Sequence, residues 1–448
     1  MNGNFPYNGV LPFTYQASGI LFADWINLLT LCLAPLIVHI VAGVPSPVYL
    51  SSPRPRWHER LGHYNPTSIL WRYFSIIDRR ARSRAWNSAD MAASNAHFWT
   101  SSGWDGSENM MRKSRRFCTR IPSSPHAVWV SKTSAETIAT VLQGLQAAWQ
   151  LVGGLNGGGY SNTISLGTVF APLAICGLIR LPAAVWISDD YSYVDLDFDA
   201  DGDGDNDPEM EICDGYSLTN TLKPRKSPTS RTLLSLGLLE PFPVHSLDLH
   251  SPRSWRGITV RILFLLPLLA LLVLALLYLT PFQTSSDPSN IFFTLTQFLV
   301  AIFFTIFLVC SIPIYTFYFL TNNSTTTIIP CVTSLWYKIY TALLFACILG
   351  LVCVAGLETR ATPCGLYTTT PPGFFDMVVC GGLSVARNGA VEGIASGLPF
   401  GVAWRNSTSE EMGSGVLYMW EFDGWCKIGM KGDVIEAFLP ANFSSFGG

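Results

Sequence analysis

Runs of uncharged apolar residues, separated by polar segments, dominate the pattern along this chain. The clearest run, Ile262 to Leu279, holds 18 residues without a charge. At about 1.5 Å of rise per residue it covers roughly 27 Å, nearly the thickness of a hydrocarbon core. Arg253, Arg256 and Arg261 lie just before this run, and residues 280–286 after it contain no base. The asymmetry predicts a membrane span whose N-terminal end faces the cytosol.

The same pattern predicts five further spans. They cover residues 21–44, 134–152, 163–187, 291–320 and 336–356. Arg54, Arg56 and Arg60 follow the first span closely, which places the N-terminus outside. Six crossings return the C-terminus to the outside. We therefore predict a mainly α, polytopic helical membrane protein of about six transmembrane helices, in the plasma membrane or an endomembrane, with both termini outside or lumenal.

Between and around the spans, the polar segments divide the chain into distinct parts. In order, these are a short outer N-terminus (1–20), the first span (21–44), a basic amphipathic cytosolic segment (45–133), a two-span hairpin (134–187), an acidic and then Ser/Pro-rich flexible cytosolic linker (188–257), three spans (258–356) and a small C-terminal outer domain with some β structure (357–448).

Composition supports the membrane assignment. Only 13% of the 448 residues are charged and the mean hydropathy is +0.31, whereas soluble domains average about 25% charged residues. The net charge of −3 hides a strong segregation, because 14 of the 28 bases lie in residues 45–133. The 11 cysteines include no CxxC pair, which argues against a zinc ribbon or a thioredoxin-like site.

The basic segment contains one strongly amphipathic helix, which starts at the cap Asn65-Pro66. One face carries Ile69, Leu70, Tyr73, Phe74 and Ile77, and the other carries Arg72, Ser75, Arg79 and Arg82. Two interpretations fit this period. The helix lies flat in the headgroup layer with its arginines toward anionic inner-leaflet lipids, or it packs on the cytosolic ends of the spans. Tethering to a membrane favours anionic lipid over nucleic acid as the polyanion. Asn87 and Ser107 are predicted caps of two further short helices.

Three motifs of this region carry a resemblance. They are YNPTSILWRYF at residues 64–74, DMAASN at 90–95 and GWDGSE at 103–108. With them, the chain resembles a set of uncharacterised multi-pass membrane proteins of filamentous ascomycete fungi, from the first span to about Ile187. The resemblance implies a fungal source and a membrane location, and it carries no activity.

Two charged residues of the hairpin are predicted to meet inside the membrane. Glu136 lies 20 residues before the centre of the glycine-rich turn 153–159, and Arg180 lies 24 residues after it, so equal rise per residue puts both at a similar depth. An unpaired charge within a span costs roughly 2.5–3.5 kcal/mol. We therefore predict a Glu136–Arg180 pair.

Glu136 also begins a polar stripe on the second span, which continues through Thr140, Gln143, Gln146 and Gln150. A polar stripe in a span must face protein or water. It forms either the wall of a permeation path or a set of hydrogen bonds between helices, and Gly144 beside it suits close helix packing.

Two motifs suggest metal sites, but neither has the residue spacing that such a site requires. The histidines of His58–His63 are five residues apart, whereas a zinc-protease helix needs four. In the acidic run 189–214, a calcium loop starting at Asp197 would need Glu at its twelfth position, where Pro208 stands. We predict a solvated acidic segment, with no metal or cofactor.

The C-terminal domain is predicted to contain strands Val416–Phe422 and Cys426–Met430 around an Asp-Gly turn. An outer location makes Asn406 and Asn442 usable glycosylation acceptors. It also lets two of Cys364, Cys380 and Cys426 pair.

No cluster of titratable residues at catalytic spacing supports an enzyme. We expect a non-enzymatic binding, sensing or scaffold protein with a lipid-contacting cytosolic segment. The alternative is a transporter or channel that uses the polar face of the second span.

Overall fold

The structure is a computed structural model of the chain. It describes residues 9–16, 20–51, 54–153, 164–194, 249–279, 292–321, 325–362, 366–371, 400–401 and 426–427.

Helices dominate these residues. The α-helices are α1 Phe22–Gly43, α2 Trp57–Arg60, α3 Pro66–Arg82, α4 Ser88–Asn95, α5 Glu108–Ser114, α6 Lys132–Gly153, α7 Ala171–Gly177, α8 Arg180–Ala183, α9 Trp255–Leu279, α10 Leu295–Leu320 and α11 Leu335–Glu358. Short 3-10 turns cover Leu61–Tyr64, Arg115–Phe117, Leu166–Thr168 and Ala184–Trp186.

The strands are short and form small separate sheets. They are β1 Gly9–Val10, β2 Pro47–Tyr49, β3 His97–Thr100, β4 Gly103–Asp105, β5 Cys118–Arg120, β6 Ser192–Tyr193, β7 Phe292–Phe293, β8 Arg360–Ala361, β9 Tyr367–Thr368, β10 Phe400–Gly401 and β11 Cys426–Lys427. The largest described sheet has the order β2-β3-β4, with β2 parallel to β3 and β3 antiparallel to β4. The remaining pairs are β1 with β7, β5 with β6, β8 with β9, and β10 with β11.

Four described helices, α1, α9, α10 and α11, are long and apolar enough to cross a membrane. This is the architecture of an integral membrane protein. The predicted third span is broken, since residues 166–177 and 180–186 meet at 41°, and this bent pair raises the number of candidate spans to five. Pro182 explains the break, because it has no amide hydrogen to donate to the carbonyl of Leu178. The predicted second span is the 22-residue helix α6, which is less apolar.

Helix α3 lies at the centre of the fold, between the ends of the apolar helices. Asn65 caps it by accepting a hydrogen bond from the amide of Thr67 at 2.9 Å, as predicted. Trp71 and Phe74 of α3 are fully buried, and Phe74 packs 4.6 Å from Phe319 at the end of α10. Burial of one such side chain is worth about 1.5–3 kcal/mol.

Each of the four apolar helices places one end against α3. A Cβ at Gly43, the last residue of α1, would clash with Ile69. Phe264 near the start of α9 lies 5.0 Å from Phe74. Tyr315 of α10 donates a hydrogen bond to the carbonyl of Thr67 at 2.8 Å, and Tyr337 of α11 bonds Ser68 at 2.7 Å. Helix α3 therefore packs on the ends of the spans, and the prediction that it lies flat among headgroups is wrong.

Loops that are distant in sequence meet around α3, and we call this part of the molecule the α3 layer. Besides 45–51 and 54–131 it contains residues 249–254 and 325–334. Trp71 donates from Nε1 to the carbonyl of Thr326 at 2.9 Å, and the amide of His250 donates to the carbonyl of Arg82 at 2.8 Å. The predicted caps Asn87 and Ser107 also belong to this layer, and both accept the expected backbone hydrogen bonds.

A second polar layer closes the opposite ends of the helices. It contains residues 14–16, 164–166, 294–297, 358–362 and 366–371, and we call it the threonine-rich layer. Glu358 is fully buried here and accepts hydrogen bonds from the amide and hydroxyl of Thr296 at 2.8 and 2.7 Å. The amide of Leu166 donates to the hydroxyl of Thr359 at 2.9 Å. Each apolar helix thus runs from one polar layer to the other.

Several predictions fall on residues that the structure does not describe. Asn406, Asn442, Cys364 and Cys380 lie outside the described residues, as does most of the acidic linker beyond Val194. Of the predicted hairpin, the described part is Cys426–Lys427, which pairs with Phe400–Gly401.

The N-terminal cap of α3 provides a test of how α3 packs against α11. Asn65 is fully buried and also donates to the hydroxyl of Thr341 in α11 at 2.9 Å, whereas the cap Asn87 is exposed. We expect Asn87→Ala to destabilise by about 1 kcal/mol, the value of a cap alone. Asn65→Ala should cost about 1 kcal/mol more, because a buried hydrogen bond between α3 and α11 is also lost. Thermal unfolding of the purified protein measures the stability of both variants. Equal losses of stability would contradict the packing of α3 against α11.

Candidate functional site

The predicted contact between Glu136 and Arg180 is present, and it belongs to a larger junction around Arg180. Glu136 Oε2 lies 3.3 Å from Arg180 Nη2, as the hairpin geometry predicts. Arg180 is fully buried at the start of α8, and its carboxylate partner is 18% exposed. Lys132, one turn earlier on α6 and largely exposed, lies 3.8 Å from the other carboxylate oxygen of Glu136.

The other contacts of Arg180 explain why a guanidinium can be buried here. Its nitrogens donate to the Thr137 hydroxyl at 2.8 Å, the Thr133 carbonyl at 3.1 Å, the Tyr73 hydroxyl at 3.3 Å and the carbonyl of Ala42. With Glu136 these make five acceptors, which matches the five N–H groups of arginine. Arg180 therefore ties α1, α3, α6 and α8 together.

A further set of buried arginines lines α3. Arg72 donates to the carbonyl of Gly43 at 2.8 Å and to Asn95 Oδ1 at 3.2 Å. Arg79 donates to the carbonyls of Gly106 and, at 3.0 Å, Thr325. Burial lowers the pKa of Arg79 to about 10, which leaves it charged at neutral pH.

At the end of α3, Arg82 forms a two-carboxylate network. Its Nε lies 2.7 Å from Asp78 Oδ2, and its Nη2 lies 2.7 Å from Glu108 Oε1. Nη1 donates to the carbonyl of His250 at 3.0 Å. Burial raises the pKa of Asp78, and the adjacent Arg82 opposes that shift.

These contacts correct the predicted membrane-surface face. Arg72, Arg79 and Arg82 are 4%, 1% and 0% exposed, so they cannot reach lipid phosphates. Backbone carbonyls, the Asn95 side chain and two carboxylates of the protein take the place of phosphate as their acceptors. The prediction was wrong because phosphate oxygens and protein oxygens can both accept from a guanidinium, and two of the acceptors, the carbonyls of Thr325 and His250, are more than 160 residues away in the sequence.

The residues of the polar stripe on α6 differ in their surroundings. Thr140 is buried and donates to the carbonyl of Glu136 at 2.7 Å, while its methyl group faces Gly177 of α7. Gln143 is half-buried, and Gln146 and Gln150 are exposed on the surface of the helix bundle. The stripe therefore splits into a packed half and an outward-facing half.

Two histidines of the α3 layer form a contact that the sequence did not reveal. His63 and His97 are each 6% exposed, with ring centroids 4.9 Å apart, and Trp104 lies edge-on to His63 at 4.3 Å. Neither Nε2 has a hydrogen-bond partner among the described residues. Burial, and secondarily Arg60, lowers the pKa of His63 from 6.5 to about 3. Burial lowers the pKa of His97 as well, with smaller contributions from His63 and Arg72.

Exposed tryptophans mark the level of the α3 layer on the outside of the molecule. Trp57, Trp129, Trp255 and Trp336 are between 52% and 93% exposed, and they lie in α2, before α6, and at the starts of α9 and α11. Exposed bases accompany three of them, namely Arg56, Lys132 and Arg256. Tryptophan at this level is typical of a membrane–water interface.

In the described part of the chain, no group of three or more His, Cys, Asp or Glu side chains has the arrangement of a metal site. The charged groups of the junction are instead held in fixed ion pairs and hydrogen bonds. Its geometry serves to join helices.

Comparison with known proteins finds no matching family model, no matching curated protein and no matching solved structure. The resemblance to fungal multi-pass proteins therefore stays a prediction.

The Arg180 junction predicts an asymmetric response to mutation. Arg180→Met leaves several buried acceptors unpaired and removes the nearer of the two bases that contact Glu136, so we expect a loss of about 3–5 kcal/mol in the free energy of unfolding. Glu136→Gln should lower the free energy of unfolding by clearly less than Arg180→Met does, because Arg180 keeps its other acceptors. Lys132→Met is the control and should change stability by at most about 1 kcal/mol.

A double charge reversal of Glu136 and Arg180 should not restore stability. A carboxylate at position 180 would face the carbonyl oxygens of Ala42 and Thr133. These oxygens carry partial negative charge and would repel it. Thermal unfolding of the four variants checks both expectations, and full recovery in the double reversal would show that the pair acts alone.

The histidine pair predicts a loss of stability in mild acid. The folded pKa of each histidine lies below the unfolded value near 6.5, so the unfolded chain binds more protons below that pH. Stability is complete above pH 6.5 and should fall by up to about 1.4 kcal/mol per pH unit per histidine as the pH drops.

Thermal unfolding between pH 8 and pH 5 measures this slope. The double variant His63→Phe/His97→Phe should flatten the profile, while His126→Phe, at an exposed position, should leave it unchanged. An unaltered slope in the double variant would rule out the pair as its source.

Proposed function

We propose that this chain is a non-enzymatic, six-span membrane protein in which the basic segment 45–133 forms a cytosolic domain docked on the inner ends of the spans. Its role is that of a binding or scaffold protein. The proposal rests on the packing of α3, which contacts one end of each of the four apolar helices.

The two polar layers support six crossings. Helices α1 and α10 begin at the threonine-rich layer and end at the α3 layer. Helices α9 and α11 run in the opposite direction. Helix α6 starts at Lys132, beside the Arg180 junction, and residues 164–187 return from Thr359 to that junction. The less apolar α6 and the bent pair then supply the second and third crossings, with their charges paired.

Charge asymmetry supports the orientation. Thirteen of the 28 bases lie between residues 45 and 131, in the segment that forms most of the α3 layer, and a base-rich side is the cytosolic side. Exposed Arg56, Lys132 and Arg256 beside interfacial tryptophans are placed to contact anionic inner-leaflet lipids. They replace Arg72, Arg79 and Arg82, whose acceptors are all within the protein.

A docked domain held by buried arginine networks suits a scaffold, because its exposed surface is presented in one orientation to the bilayer. The transport alternative depended on the stripe of α6. Gln146 and Gln150 are exposed on the surface of the helix bundle, whereas Thr140 is packed against Gly177, so the stripe does not support transport and we do not propose it.

A topology map tests the proposal. Ser101 and Ser102 form an exposed turn between β3 and β4, which accepts an inserted glycosylation sequon. With Asn406→Gln and Asn442→Gln as background, we expect no glycan at the 101–102 reporter and a glycan on a reporter after Gly448. A glycan at 101–102 would place the α3 layer outside. An unmodified C-terminal reporter would rule out six crossings.

A further inference from the structure

In the proposed crossing, the outward-facing side of α6 carries a polar side chain inside the hydrocarbon. Helix α6 has 22 residues, which is about 33 Å at 1.5 Å per residue and matches a hydrocarbon core of about 30 Å. Gln146 is exposed on this helix and lies seven residues before its last residue, Gly153, or about 10 Å from that end. Gln150 lies three residues before the same end, close enough to reach interfacial water.

A glutamine at this depth needs a protein partner. Its side chain has a carbonyl oxygen that accepts and an NH₂ group that donates, and hydrocarbon satisfies neither. Polar side chains of membrane helices therefore face protein and form hydrogen bonds across helices. Because Gln146 is exposed on the surface of the described helix bundle, the helix that covers it has to come from outside this bundle.

The exposed face around Gln146 has the spacing of a coiled-coil seam. Ala135, Ala139, Leu142, Gln146 and Trp149 follow one another at intervals of four, three, four and three residues, the spacing of a and d positions in a heptad repeat. Ala139 is half-buried and the other four are exposed, Leu142 at 61% and Trp149 at 80%. We call these five residues the α6 seam. It runs along one side of the helix for about 21 Å, while the opposite side of α6 packs on α7.

The seam is complementary to a second copy of itself. Charge asymmetry gives every copy the same orientation in the membrane, so the α6 helices of two copies meet in parallel. In a parallel two-stranded seam each a or d residue faces the same residue of the partner. Gln146 then faces a second glutamine amide, which offers it both a donor and an acceptor. Ala135 and Ala139 are small enough to let the two backbones approach closely.

We propose that this chain forms a parallel homodimer through the α6 seam, with Gln146 of the two copies hydrogen-bonded to each other. Lys132 lies one heptad before Ala139, at the end of the helix. There it contacts Glu136 at 3.8 Å and can extend into water, away from its copy. The inference rests on the proposed function, because Gln146 meets hydrocarbon only where α6 crosses the membrane.

The test measures association of the full chain in phospholipid vesicles. Copies carry a donor or an acceptor fluorophore after Gly448, and energy transfer at increasing protein-to-lipid ratios gives the dissociation constant of the dimer. Gln146→Leu keeps the size of the side chain but removes the amide, so we expect the dissociation constant to rise about threefold to thirtyfold, the range for hydrogen bonds between membrane helices. Gln146→Asn retains an amide and should keep most of the affinity.

Two leucines of equal exposure provide the matched control. Leu142 is 61% exposed in the α6 seam and Leu343 is 60% exposed on α11. Leu142→Ala should weaken the dimer, and Leu343→Ala should leave it unchanged. Since all the substituted side chains are exposed, the variants should fold, which gel filtration in detergent checks.

A wild-type chain that stays monomeric at every protein-to-lipid ratio overturns the homodimer. A dimer that both Gln146→Leu and Leu142→Ala leave unchanged overturns the α6 seam as its interface. Failure of the proposed function is a separate result, because the glycosylation map reports the number of crossings whether or not the copies associate.

Discussion

A guanidinium group keeps its charge in almost any surroundings, so burying it is costly unless acceptors converge on it. This constraint governs the junction between the apolar helices and the α3 layer. Arg180 satisfies it with acceptors from three other elements, and Arg82 does so with two carboxylates and the carbonyl of His250. Moving any of these elements would leave a buried charge or several carbonyls unpaired. The arginines therefore determine how α3 sits against the spans.

The same constraint gives the two ends of the helix bundle different characters. At the α3 layer, large aromatic side chains and paired charges fill the space between the helix ends. At the threonine-rich layer, short hydroxyl side chains and the buried carboxylate of Glu358 hold the ends together. Threonine hydroxyls satisfy backbone groups over short distances and allow close approach of the chains. Arginines reach further and connect loops that lie apart.

Predictions that depended on local structure were confirmed. Asn65, Asn87 and Ser107 cap helices because a cap needs only the side chain and the amides two or three residues later. The Glu136–Arg180 contact followed from counting equal rises on two sides of one turn. The break between α7 and α8 was missed, although Pro182 was visible, because proline in a membrane helix can also be tolerated when neighbours satisfy the freed carbonyl.

The sequence by itself determined which segments are apolar enough to cross a membrane, where several helices begin, and the depth at which one ion pair forms. These properties follow from hydropathy and from contacts between near neighbours. Only the tertiary structure decided what the amphipathic helix α3 packs against. Its arginines would be satisfied by lipid phosphates or by carbonyls, and the carbonyls of Thr325 and His250 lie more than 160 residues away along the chain. The apposition of His63 with His97 likewise depends on contacts that no local pattern encodes.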